Sequence, residues 1–112
     1  MRPDDVTRIR HMIEAAEACE RFVVGRNRGD LDTDLMLRFA LVRAVEIVGE
    51  AASKVSAATR AAALTVPWPA VVATRNRLIH AYFHIDHEVL WKTATQEIPS
   101  LLSALRQLSG DQ

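Results

Sequence analysis

The run Leu31-Asp-Thr-Asp-Leu-Met-Leu-Arg-Phe-Ala-Leu-Val-Arg-Ala-Val-Glu-Ile-Val-Gly-Glu-Ala-Ala-Ser-Lys-Val55 decides the fold. Its apolar residues recur at steps of three and four, the spacing that gathers side chains on one face of a helix. They form two stripes. Leu35, Phe39, Val42 and Val45 make the first, and Leu37, Leu41, Ala44, Val48, Ala51 and Val55 make the second. The spacing predicts one helix from about Leu31 to Val55, capped by Asp30 or Asp32 and buried on two sides. In a chain this small the second side calls for another subunit.

Working outward, the preceding stretch carries Val6, Ile9, Ile13, Ala16, Cys19 and Val23 on a single stripe. A helix over about Asp5–Val24 follows, capped by Asp4 or Asp5 and ended by Gly25. Glu17 and Arg21 stand four apart, in the favourable order for a pair. Beyond Val55, a short helix is expected over Ser56–Leu64, then a break at Pro67-Trp68-Pro69 and a helix from Pro69 to about Ala81. Asp86 suits the cap of the next helix, and Pro99 should break or kink it before a last helix through Leu108. Trp68 and Trp91 are expected in the core. No alternating strand pattern occurs, so the fold class is all-α.

Composition agrees with one domain spanning residues 1–112. The hydrophobic fraction of 49% supports a core, and 14 basic against 14 acidic residues leave no broad positive field of the kind a generic nucleic-acid coat needs. The single cysteine, Cys19, permits neither an internal disulfide nor a cysteine cage for zinc. The longest stretch without charge, Ala61–Thr74, is interrupted by Pro67 and Pro69 and is too short to span a bilayer. The N-terminus is polar and unlike a signal peptide. A soluble cytoplasmic protein is expected, with no membrane partner.

Chemistry concentrates between Ala70 and His84, where two arginines and two histidines occur without an acid. Guanidinium groups hold phosphate oxygens through a bidentate fork, and an imidazole can move a proton near neutrality. On a continuous helix Asn76 and His80 would share a face, while Arg75 and His80 would lie about 140° apart. Two copies facing each other would bring two such pairs around one cleft. The plainer readings are a basic helix end, with Arg75 in a buried ion pair to Glu46 or Glu50, and a solvated loop for Arg26-Asn27-Arg28. Glu50 could also orient the site from behind. His80, His84 and His87 are spaced four and three apart, but no carboxylate or thiolate at matching spacing completes a metal set.

Arg75-Asn-Arg-Leu-Ile-His80-Ala-Tyr82 fits the pattern R-x4-H-x-Y and resembles the HEPN superfamily, specifically its HepT-like toxins. Ile47-Val-Gly-Glu50-Ala-Ala-Ser-Lys54, Val66-Pro-Trp68, Ile85-Asp86 with Val89-Leu-Trp91, and Glu97-Ile-Pro99 resemble further segments of that family in the same order. The resemblance implies an up-and-down bundle of four main helices plus short ones, forming a homodimer with the active site in its cleft. It implies a metal-independent RNA endonuclease acting as the toxin of a toxin–antitoxin pair, with no cofactor. Carried onto this chain, Arg75 and His80 would be catalytic and Asn76 supporting. Tyr82 would be the residue to which an MNT-type nucleotidyltransferase antitoxin transfers AMP. The alternative is a non-catalytic helical dimer that holds a nucleotide or RNA for a separate nucleotidyltransferase.

Overall fold

The computed structural model describes residues 1–81 and 84–109, and for residues 79–81 and 109 the backbone alone. Seven α-helices occur among them: α1 (Pro3–Val23), α2 (Asp30–Thr33), α3 (Leu35–Ser53), α4 (Ala57–Ala62), α5 (Trp68–Leu78), α6 (His87–Lys92) and α7 (Ile98–Ser109). A π-helical turn, Thr93–Glu97, joins α6 to α7, and a minimal ribbon pairs β1 (Ile79–Ala81) with β2 (His84–Ile85). The fold is an all-α bundle. Helix α1 packs along α3 and α7, and α5 packs on the other side of α3.

The stripes explain this arrangement. Ile9, Met12, Ala16 and Cys19 of α1 meet Leu41, Val45, Val48 and Ala52 of α3 and Leu102 and Leu105 of α7 in one core. The second stripe of α3 is buried along its whole length. The first is not uniform. Val45 belongs to the core, Val42 is half-buried, and Leu35 and Phe39 are 51% and 65% exposed. Gly49 lies where α5 comes close, since a Cβ there would meet the Val71 carbonyl oxygen at 3.4 Å.

Several expected boundaries move for identifiable reasons. The helix expected over Leu31–Val55 is broken at Asp34, which is extended and accepts a hydrogen bond from the Leu37 N–H on Oδ1 at 3.0 Å. The cap is therefore Asp34, because a short carboxylate satisfies a free N–H at a helix start. Neither Asp4 nor Asp5 caps α1, which begins at Pro3 after an uncapped Arg2. Asp5 instead reaches the start of α4. Its oxygens accept from the Ser56 N–H at 2.9 Å and from the Ser56 and Thr59 hydroxyls at 2.6 Å each. Glu17 pairs with Arg106 of α7 at 2.9 Å, a contact across the bundle in place of the local one expected with Arg21.

Gly25 does end the first helix, with φ of 71°. Asp86 does cap α6, accepting from the Val89 N–H at 3.0 Å. Trp68 is buried and its indole N–H donates to the Ala63 carbonyl at 3.1 Å, whereas Trp91 is only half-buried. Pro99 stands in the first turn of α7, so a last helix through Leu108 begins there as expected. The missing N–H and the ring's clash with the preceding turn are absorbed by the wider π-helical turn before it. Among the described residues, no helix is long and apolar enough to cross a membrane.

Candidate functional site

Helix α5 positions the site. Thr74 and Leu78 face the core, and Arg75, Asn76 and Arg77 face outward on its last turns. There they oppose the partial negative charge of the helix end. The Arg75 Nε donates to Glu46 Oε2 at 3.0 Å, with the arginine side chain 53% exposed and the glutamate 22%. The ion pair is thus with Glu46 rather than Glu50, and it lies at the surface, not in the interior. An exposed guanidinium held by one carboxylate keeps its remaining N–H groups for an incoming anion. Glu50 is exposed and its carbonyl accepts from the Ser53 hydroxyl at 2.6 Å.

Arg77 turns to the other side of the helix. Its Nη2 donates to Glu97 Oε1 at 2.8 Å and to the Thr74 hydroxyl at 3.3 Å. This role of Arg77 has no local signal, because its partner is twenty residues away, in the π-helical turn.

The motif helix ends earlier than its spacing suggests. Helix α5 stops at Leu78, and His80 lies in β1, whose backbone pairs antiparallel with β2. The Asp86 N–H donates to the Leu78 carbonyl at 2.8 Å, which closes the helix end against the chain returning to α6. The expectation that Asn76 and His80 share a helix face is therefore corrected. Extended backbone after Leu78 replaces the helical offset between Arg75 and His80. The His80 side chain and the whole of Tyr82 lie outside the described residues.

The other histidines of the segment separate. His84 is exposed on β2, and His87 Nδ1 sits 2.8 Å from Asp32 Oδ1. Among the described residues, no three His, Cys, Asp or Glu side chains converge on a point. Arg26 pairs with Asp30 and Asp34, and Arg28 with Asp32 at 2.9 Å and Glu88 at 2.6 Å. These carboxylates fix the loop between α1 and α2 against α6 and neutralise its two cations.

Along α3, Leu35, Phe39, Val42 and Glu46 follow one another at steps of four, three and four, so they share a face. Leu35 and Phe39 are exposed, Met36 beside them is 79% exposed, and the strip ends at the carboxylate that holds Arg75. Leu35, Met36 and Phe39 thus leave an exposed apolar strip on this side of α3.

The sequence profile of the Ribonuclease HepT-like family matches residues 12–108. The chain belongs to that family. "Probable ribonuclease HepT" of Thermococcus cleftensis is 38% identical over 95 residues, which are 85% of this chain and 86% of the relative. "Putative RNase MJ1380" of Methanocaldococcus jannaschii is 34% identical over 90 residues, 80% of this chain and 83% of the relative. "Putative RNase TTE0752" of Caldanaerobacter subterraneus is 31% identical over 100 residues, 89% of each chain. No solved structure gives a significant match. The HepT-like match contains the whole of α5 and β1 and runs on past Tyr82, so the motif stands inside the shared region.

Proposed function

We propose that this protein is a metal-independent RNA endonuclease of the cytoplasm, and the toxin of a toxin–antitoxin pair. The observation that carries the reading is Arg75. It is an exposed guanidinium at a helix end, held by a single surface carboxylate at 3.0 Å, beside an exposed apolar strip and five residues before His80. Membership of the Ribonuclease HepT-like family supports RNA as substrate.

In this mechanism His80 takes the proton from a ribose 2′-OH, and the 2′ oxygen attacks the adjacent phosphorus. The bond from phosphorus to the 5′ oxygen breaks, and that oxygen receives a proton from an imidazolium. The products are a 2′,3′-cyclic phosphate and a 5′-OH. Arg75 stabilises the charge that builds on the phosphate oxygens, and Asn76 assists by hydrogen-bonding substrate or His80. A second copy covering Leu35, Met36 and Phe39 would add a second Arg75 and His80, so that one histidine serves as base and the other as acid.

Control falls to Tyr82. AMP transferred to its hydroxyl by an MNT-type nucleotidyltransferase antitoxin would set a phosphate near Arg75, compete for the guanidinium and repel RNA. Purified protein incubated with RNA in EDTA tests the activity: cleavage supports the reading, a strict need for a divalent ion overturns its metal-free form, and retention of uncut RNA favours a binding dimer. Co-expression with the antitoxin and intact-mass measurement tests the control. An AMP adduct is expected on the wild type and not on Tyr82→Phe, and an adduct that persists in that variant places the control point elsewhere.

A further inference from the structure

A second feature lies on the opposite side of α5 from Arg75. A cleft of about 550 Å³ opens between α3, α5, the π-helical turn and the start of α7. Its walls are aliphatic, from Val45, Val48, Val71 and Leu101, and its volume lies within the roughly 300–1,000 Å³ usual for small-molecule sites. Arg77 and Glu97, paired at 2.8 Å, form part of the lining. Residues two apart on a helix point about 200° apart, which separates this cleft from the surface that carries Arg75.

Two observations mark it as a site rather than a packing gap. Thr93 lines it and is 1% exposed, yet its Oγ1 has no hydrogen-bond partner among the described residues. A mid-helix threonine ordinarily bonds back to a carbonyl of the preceding turn, as Thr95 does to Trp91 at 2.7 Å and Thr74 to Ala70 at 3.0 Å. A buried hydroxyl without a partner costs stability. Thr93 is also the first residue of the π-helical turn, and Gln96 and Glu97 of that turn line the same cleft. Turns of this type recur at functional sites.

We propose that this cleft binds a small uncharged amphiphile, with an aromatic or aliphatic body against the four apolar walls and a hydroxyl-type head hydrogen-bonded to Thr93. The lining carries one cation and one anion that neutralise each other, so it offers a charged head no net attraction. The body covers the aliphatic side chains of Val45, Val48, Val71 and Leu101, which are at most 7% exposed, and a small outward shift of the lining admits the head to the buried Thr93 hydroxyl. The occupant bears on the inner face of α5 through Val71 and Thr74, next to Arg75, so the site is suited to an effector rather than to RNA.

The test compares 2-naphthol with naphthalene, two probes of the same shape that differ by the hydroxyl, in NMR titrations of the full chain without RNA. Its outcome is therefore independent of ribonuclease activity. Both should bind saturably and shift amides of residues 70–78 and 93–101. Thr93→Val keeps the shape and removes the hydroxyl. It should raise the melting temperature of the empty protein and lower the naphthol-to-naphthalene affinity ratio by roughly tenfold, the worth of one buried hydrogen bond. Ala70→Phe, at an exposed position of the lining, should abolish binding of both probes without unfolding the protein. The proposal is overturned if neither probe saturates, if the ratio is unchanged in Thr93→Val, or if binding survives Ala70→Phe. A dimeric protein that binds neither probe would mean the cleft is filled in the assembly, and overturns it equally.

Discussion

Replacing Glu46 by Gln tests how Arg75 is used. At 3.0 Å, two unit charges attract by about 1.4 kcal/mol in a water-like dielectric. Arg75 is more than half exposed, and ordering two side chains offsets part of that attraction, so the net contribution is about 0.2–1 kcal/mol. Two consequences follow. The fold should barely notice Glu46→Gln, with a melting temperature lowered by a few degrees at most. RNA, however, must take Arg75 from Glu46 before the phosphate can be held. Removing the competing charge should lower KM by up to about fivefold and leave kcat within about twofold, since every 1.4 kcal/mol is tenfold in an equilibrium. Steady-state cleavage of a fluorescent RNA at fixed ionic strength gives both constants, and thermal unfolding gives the stability. A kcat reduced by about 100-fold at unchanged KM would show that Glu46 acts in the chemical step, and the competition argument would fail.

Phe39→Asp should leave the monomer folded, because the side chain is 65% exposed. It should convert a dimer at micromolar concentration to monomer and lose cleavage with it; sedimentation of wild type as a clean monomer would remove the composite site. Asp5 gives an acid-sensitive link between α1 and α4. The Ser56 hydroxyl, then the Thr59 hydroxyl and the Ser56 N–H, lower its pKa from 3.8 to about 2. A carboxylate depressed in the folded state stabilises the fold above the unfolded value, and that contribution is lost as pH falls from about 4 towards 2. Between those pH values wild type should therefore lose melting temperature more steeply than Asp5→Asn, and parallel profiles would discount the link. Burial, and then the Glu20 charge, push the Cys19 thiol up to about 12. A disulfide reagent at pH 8 should leave it untouched in the native protein and label it on unfolding; rapid native labelling would contradict its burial.

Most of the fold was legible because the helices pack through continuous stripes. Leu37, Leu41, Ala44, Val48 and Ala51 are buried as their spacing requires. Gly25 and Asp86 punctuate where their chemistry says they should. The break at Asp34 was not legible, since Leu35 continues the apolar rhythm and only the cap to Leu37 distinguishes Asp34 from the other acids of the run. The end of α5 was hidden for a different reason. Nothing between Leu78 and Ala81 is a helix stop, and the extended conformation of β1 depends on pairing with residues 84–85. Contacts between distant elements set the rest. The Glu46 partner of Arg75 could be named among two candidates, but its exposure depends on how α3 and α5 meet at Gly49. Asp5 carries no sequence signal that would link it to Ser56 and Thr59.

The most direct test of the ribonuclease reading is the rate at which purified protein cuts RNA in EDTA, measured for wild type and His80→Ala of equal melting temperature. The account predicts that wild type leaves 2′,3′-cyclic phosphate ends and that His80→Ala is slower by roughly 10²–10⁴-fold, the usual worth of general acid–base catalysis. An inert wild type, or a His80→Ala variant that cuts as fast, would contradict it.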